Sequence, residues 1–176
     1  VPMEKVQEFS ADIYRESRRL LALVNDIIKL SRLDEGAGRL ERQSVDLYAL
    51  SQHVLCSLQS VAEQRKIRLT LCGEHISVSG AAALLEEMLY NLCDNAVKYN
   101  VDGGSVTVSV RACGGETLLT VSDTGIGIPY AHQSRVFERF YRVDKSHSKA
   151  VGGTALGLSI VKHAAQFHNA RLELQS

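Results

Sequence analysis

The sequence predicts an α+β fold in which one long amphipathic helix precedes a two-layer sandwich of helices on short strands. A heptad-like apolar stripe near the N-terminus, short runs of period-two alternation further on, and helical stretches between those runs lead to it. A length of 176 residues suits one main domain with an appendage. Hydrophobic residues at 45% and charged residues at 23% belong to a chain that folds.

The stripe is Val6, Phe9, Ile13, Leu20, Leu23, Val24, Ile27 and Leu30, with Glu, Lys and Arg filling the other faces. It predicts one helix over 3–33, roughly 45 Å long at about 1.5 Å per residue, ended by Gly36. Its length and 3.5-like period favour a bundle shared between chains over packing on its own domain. The texture changes near Gly36 and Gly38, so residues 1–36 and 37–176 are expected to form separate units.

Alternating runs at 39–43, 67–72 and 76–79 predict strands, with a helix over 46–64. A second helix over 81–99 precedes strands at 105–113 and 116–122, which a Gly114-Gly115 turn joins. The stretch 125–153 is too long for an ordinary connection and reads as a functional lid. A helix over 154–168 and a strand at 171–174 complete the pattern.

Twenty basic side chains balance twenty acidic ones, so no global field would hold the chain to nucleic acid or anionic lipid. A small molecule or a protein is the expected partner. Cys56, Cys72, Cys93 and Cys113 are irregularly spaced, which predicts buried free thiols instead of a zinc or redox pair. No run of about 18 apolar residues occurs and no signal-peptide pattern follows Val1, so the chain is expected to be soluble.

On the second helix, Glu87, Asn91, Asn95, Lys98 and Tyr99 fall within an arc of about 120°, beside an apolar arc of Leu85, Met88, Leu89, Leu92 and Ala96. Such an edge offers oxygen ligands for Mg²⁺, a cation for phosphate and a ring to pack on a base. A solvated polar face is the alternative that this helix alone leaves open.

From Val121 a strand runs into Asp123, Gly125 and Gly127: a candidate buried acceptor followed by glycines that admit a ligand close to the backbone, or else a plain Asp-Thr-Gly turn. From Gly152 to Ser159 a glycine-rich turn opens a helix, where free N–H groups and the helix dipole favour phosphate. Leu158 stands where a P-loop needs lysine, and no G-x-G-x-x-G follows a strand in a βαβ unit, so any nucleotide is held otherwise. Between these motifs, Arg135 to Lys145 interleaves cations with aromatics, which reads as a phosphate-closing lid more readily than a nucleic-acid stacking surface.

Taken in order, the asparagine helix, Asp-x-Gly-x-Gly, aromatic lid and Gly-rich helix start resemble the N, G1, F and G2 boxes of sensor histidine kinases, over about 84–160. Residues 14–33 are similar to the second helix of that family's dimerisation and phosphotransfer hairpin. The resemblance implies the ATP-binding sandwich shared with gyrase-like and chaperone ATPases, with ATP and Mg²⁺ as cofactors. It makes Asn95 the Mg²⁺ ligand, Lys98 and Arg142 phosphate contacts, Tyr99 an adenine-site wall and Asp123 the acceptor of the adenine amino group. Gly125, Gly127, Gly153 and Gly157 flank the nucleotide, and Asn91, Ile128, Thr154, Ala155 and Leu156 complete the set. Phe137, Phe140 and Tyr141 match the aromatic anchors of the lid.

The same resemblance implies transfer of the ATP γ-phosphate to a histidine on an absent helix, and thence to an aspartate of a response-regulator receiver domain. It also implies a homodimer through the helical bundle and a cytoplasmic portion of a membrane-anchored bacterial sensor, with no nucleic-acid partner. None of His53, His75, His132, His147, His163 or His168 is followed by Glu or Asp, as the phosphoacceptor is, so the chain alone is expected to be inactive. Asn91 stands where the related ATPases place a glutamate base, and a carboxamide is a poor base. The strand at 171–174 is the last of the pattern, which leaves a sheet edge exposed or otherwise covered. Ala155 replaces a usual glycine, at a cost of about 1 kcal/mol if the position needs φ > 0. A gyrase-like ATPase, a serine kinase acting on an anti-sigma partner, and a degenerate regulatory module without nucleotide remain as other readings.

Overall fold

The computed structural model of the chain describes residues 3–36, 40–143 and 155–176. Helix α1 (Met3–Gly36) carries the predicted stripe, and Phe9, Ile13 and Leu20 on it are 64%, 66% and 54% exposed. Leu23 is the exception, packed against Leu156 and Ile160. The side chain of Leu30, and residues 37–39 where the texture changes, lie outside the described residues. No helix among the described residues is long and apolar enough to cross a membrane.

Strand β1 (Gln43–Asp46) begins where the run predicted over 39–43 ends. Leu40 is the one apolar residue of that run and lies at the surface, whereas Val45 is 8% exposed and enters the core. Asp46 then caps helix α2 (Leu47–Gln64), its Oδ1 accepting from the Tyr48 and Ala49 N–H groups at 2.9 and 3.1 Å. A hydrogen bond with His75 holds the Asp46 carboxyl below its usual range. Strand β2 (Arg68–Gly73) follows, then β3 (Ser77–Gly80), which pairs antiparallel with β1.

Helix α3 (Ala82–Lys98) leads to β4 (Ser105–Cys113) and β5 (Glu116–Asp123). Strand β4 is central, parallel to β2 and antiparallel to β5. Gly114 and Gly115 both take left-handed φ, +59° and +84°, as a two-residue hairpin turn of this hand requires. Along β4, Val106, Val108 and Val110 are each 0% exposed, and each such burial is worth roughly 1.5–3 kcal/mol. They meet Val54, Leu58 and Ala62 of α2 and Leu85, Leu89, Cys93, Ala96 and Val97 of α3. Three residues of the predicted apolar arc thus face the sheet, while Met88 and Leu92 are only half-buried and Cys93 and Val97 join from outside it.

A single turn, α4 (Tyr130–Gln133), interrupts the long connection before helix α5 (Gly157–Phe167), which packs on α3 through Ala164, Ala81 and Leu84. Helix α5 starts later than predicted because Ala155 sits at φ +61°, a conformation that cannot continue into a helix. The strand predicted over 171–174 does not form: a strand exists only by ladder bonds, and among the described residues none reaches 171–176. Arg171 and Glu173 instead pair at the surface.

Of the four cysteines only Cys93 is buried, so the expectation of four buried thiols fails for Cys56 and Cys113 at the surface and for half-buried Cys72. Burial, with Asp94 adding to it, pushes the Cys93 thiol up to about 12, which leaves it an inert core residue.

Helix α3 has no capping side chain of its own at its start, Ala81. Its ends are held by the last residues of its two neighbours. Helix α2 closes in a Schellman turn, with Lys66 at φ +56° and its N–H on Glu63 O, and Ile67 N–H on Ala62 O. That turn sends Arg65 across to the C-terminus of α3, where its Nη1 donates to the Val97 and Lys98 carbonyls at 2.8 and 2.5 Å. Helix α5 closes the same way through Asn169 (φ +54°), and its cap residue His168 accepts the Ala81 N–H on Nε2 at 3.0 Å. His168 Nδ1 donates to the Ala164 carbonyl at 2.7 Å, so the neutral tautomer satisfies both contacts.

Burial lowers the His168 pKa from its usual 6.5, and the Arg42 guanidinium adds to this while the Ala164 bond opposes it. The folded protein therefore binds fewer protons here than the unfolded chain. The stabilisation from neutral His168 is complete above pH 6.5 and is lost as pH falls through the depressed folded value. Urea midpoints measured from pH 7.5 to 5.5 are expected to fall more steeply for the wild type than for His168→Gln.

Candidate functional site

The polar edge of α3 is half-buried along Asn91, Asn95 and Lys98. Asn91 turns its Nδ2 back onto the Glu87 carbonyl at 2.8 Å. Lys98 pairs with Asp94 one turn earlier at 2.5 Å, in the favourable acid-first order, with the two side chains only 29% and 18% exposed. The Asn95 amide, between them, makes no side-chain hydrogen bond among the described residues. Tyr99 ends the helix as its C-cap, with its side chain 41% exposed.

Next to Tyr99 stands Asn100, 7% exposed, which joins the helix to the loop after β5. Its Nδ2 donates to the carbonyls of Ala96 and Ser105, each at 3.0 Å, and its Oδ1 accepts from Val101 N–H and Thr124 Oγ1 at 3.0 and 3.1 Å. Truncating such an amide would strand several polar groups in the interior, at about 1–3 kcal/mol for each group left unpaired. The loop is tied a second time by Ile126 N–H to the Tyr99 carbonyl at 3.1 Å. Gly125 has to be glycine here, since a Cβ would stand 2.5 Å from that carbonyl.

Asp123 is exposed, contrary to the expectation of a buried acceptor, because it ends β5 at the mouth of the loop. Its Oδ1 accepts the Gly125 N–H at 2.8 Å, an Asx turn that shapes the loop and leaves Oδ2 toward solvent. Gly127 follows at φ +68°, and Ile128, half-buried, donates its N–H to Ser176 Oγ at 2.6 Å.

On the other side of α3, Gly157 opens α5 against Asn91. A Cβ at Gly157 would stand 2.6 Å from Asn91 Oδ1, so the two helices meet at this pair. Leu156 before it is fully buried. Ala155 takes φ +61°, the left-handed conformation considered from the sequence, and its carbonyl accepts the N–H of Phe140, itself at φ +64°, at 3.1 Å. Two non-glycine residues in this region, each costing about 1 kcal/mol or more, thus join the aromatic segment to the start of α5. Phe140 is 60% exposed and does not anchor that segment. Tyr141 does, through its hydroxyl on His132 Nδ1 at 2.5 Å and with Arg135 4.3 Å over its ring. Phe137 and Arg142 are half-buried, and Lys145, Gly152, Gly153 and Thr154 lie outside the described residues.

The structure therefore brings the polar edge of α3, the 123–128 loop and the first turn of α5 around one end of the helix pair. It adds Asn100, Asp94 and Arg65, which the sequence reading passed over. An asparagine directly after a helix and before a Gly-Gly turn is a cue for Asn100, whereas Arg65 has no local signal. A shallow depression of about 270 Å³ between α2 and α3, lined by Val54, Ser57, Ala83, Glu86, Glu87 and Tyr90, shares only Glu87 with this edge. Among the described residues no group of three or more His, Cys, Asp or Glu is placed to hold a metal.

Comparison with known proteins identifies the family of this fold. Residues 80–176 match the family model of histidine kinase-, DNA gyrase B- and HSP90-like ATPases. The chain is 39% identical over 175 residues to the sensor-like histidine kinase SenX3 of Mycolicibacterium smegmatis, covering 98% of this chain and 45% of that protein. It spans less than half the length of the curated relatives it matches. Among solved structures, the mycobacterial sensor histidine kinase MprB superposes with a TM-score of 0.62 at 30% identity, over 73% of this chain and 80% of that one. Full-length ShkA in complex with AMPPNP superposes with a TM-score of 0.76 at 26% identity, over 92% of this chain and 34% of that one. The chain belongs to the sensor histidine kinases, and its sandwich to their ATPase-like catalytic domain.

Proposed function

We propose that this chain binds Mg-ATP between the last turns of α3, the 123–128 loop and the start of α5, and presents the γ-phosphate to a histidine supplied by another helix. The phosphoryl group then passes to an aspartate on a response-regulator receiver domain. The observation that carries this is the placement of the helix edge, tied to Ile126 through the Tyr99 carbonyl and in close approach to Gly157 at Asn91. It gathers the residues of three motifs at one place. That ShkA was solved with AMPPNP supports the same ligand class here.

In this reading Asp123 receives the adenine amino group on its free oxygen, Tyr99 and Ile128 wall the base, and Lys98 and Arg142 contact phosphates. Gly125, Gly127 and Gly153 let the backbone approach, and Thr154, Ala155, Leu156 and Gly157 bring the α5 dipole to the triphosphate. The donors suit Mg²⁺: Asn95 offers one neutral oxygen with no competing side-chain bond among the described residues, to an ion that keeps waters and phosphate oxygens for its other places. When bound, Mg²⁺ supplies charge neutralisation on the phosphates. The chain's own part is positioning and electrostatics, as phosphoryl transfer requires. Asn91, an amide whose donor is used on Glu87, activates no water, which favours a kinase over an ATPase. The exposed stripe of α1 is the surface through which two chains would form the bundle, so the reading includes a homodimer.

Incubated with γ-labelled ATP, the chain alone is expected to gain no acid-labile phosphate, and to label a supplied hairpin whose histidine precedes Glu or Asp. Labelling of the chain alone would contradict the assignment of the acceptor. Asn95→Ala is expected to abolish the Mg²⁺-dependent part of nucleotide binding while Asn91→Ala retains more of it, as calorimetric titration with and without EDTA would read. Ala155→Gly removes a left-handed alanine worth about 1 kcal/mol and is expected to tighten ATP about fivefold while leaving adenosine unchanged. No binding of either ligand by either protein would instead favour a regulatory module without nucleotide.

A further inference from the structure

The side chain that closes the C-terminal end of α3 comes from outside every box. Arg65 is the cap residue of α2, and the left-handed Lys66 after it turns the chain so that a half-buried guanidinium lies across the end of α3. Its Nη1 donates to both the Val97 and Lys98 carbonyls. These belong to the turn that carries Asn95 and Lys98 and directly precede Tyr99, whose own carbonyl holds Ile126.

Two physical consequences follow from that contact. The last turn of a helix frays unless its free carbonyls find donors, and fraying here would displace Asn95 and Lys98 relative to the 123–128 loop. The C-terminus of a helix also carries the negative end of its dipole, which opposes a polyphosphate brought to Lys98. A guanidinium on those carbonyls offsets that charge as well as pinning the turn.

We propose that Arg65 is a positioning residue for the Mg-nucleotide: by capping the final turn of α3 it holds Asn95 and Lys98 where metal and phosphates meet them, without touching the ligand. This rests on the nucleotide reading above. A purely structural arginine would change unfolding yet leave the ratio of phosphate-bearing to phosphate-free ligand affinities where it was.

The test is calorimetric titration of the wild type, Arg65→Met and Arg65→Lys with Mg-ATP and with adenosine, at a temperature where circular dichroism shows each protein folded. Arg65→Met is expected to weaken Mg-ATP on the order of tenfold and adenosine by less than about twofold. Arg65→Lys should recover part of the loss, since the ammonium keeps charge and donors on a shorter stem. Equal losses for the two ligands, or none for either, would overturn the positioning role. If Arg65→Met does not fold, Arg65→Gln takes its place in the same comparison. A wild type that binds neither ligand would overturn the nucleotide reading and the inference with it, whereas a wild type that binds beside unaltered variants overturns the inference alone.

Discussion

Helix α3 is suspended between two neighbours, and the rest of the site depends on that suspension. A helix that spends one face on a sheet and another on α5 has only a narrow edge left for polar work. Its ends are finished by Arg65 and His168, the cap residues of α2 and α5, reached through two Schellman turns of the same form. The register of the edge is thereby set by the packing of the whole helical layer. Asn100 extends the arrangement one step, carrying the position of the helix end into the loop after β5.

Local charge follows from the same geometry. Lys98 is half-buried and would be costly there alone, and Asp94 one turn earlier keeps it paired. At the opposite border of the site, Ala155 and Phe140 hold left-handed backbone against each other. Strain of that kind persists only where surrounding packing imposes it, and the fully buried Leu156 beside Ala155 supplies that packing.

Much of the fold was legible because periodicity reports which face is buried. Leu85, Leu89 and Ala96 of the apolar arc of α3 and the valines of β4 are buried where the pattern put them, whereas the described stripe of α1, apart from Leu23, lies at the surface. What failed depended on contacts that no local pattern encodes. The strand at 39–43 moved to Gln43–Asp46 because Val45, not Leu40, had a core to enter, and the strand at 171–174 lacked a ladder partner among the described residues. The start of α5 slipped to Gly157 on one dihedral, that of Ala155. Helical spacing puts Asn91, Asn95 and Lys98 along one half-buried edge of α3, as the structure has them, whereas Asp123 is exposed because exposure at a strand end is set by its neighbours. Arg65 and His168 were invisible, since their partners lie 32 or 33 and 87 residues away along the chain.

A crystal structure of the chain grown with Mg²⁺ and AMPPNP would test this account at its root. The account predicts the triphosphate between the last turn of α3 and the first turn of α5, Mg²⁺ on Asn95, the adenine amino group on Asp123, and the Arg65 and His168 contacts retained. A nucleotide bound elsewhere, or bound here with α3 released from Arg65 and His168, would contradict it.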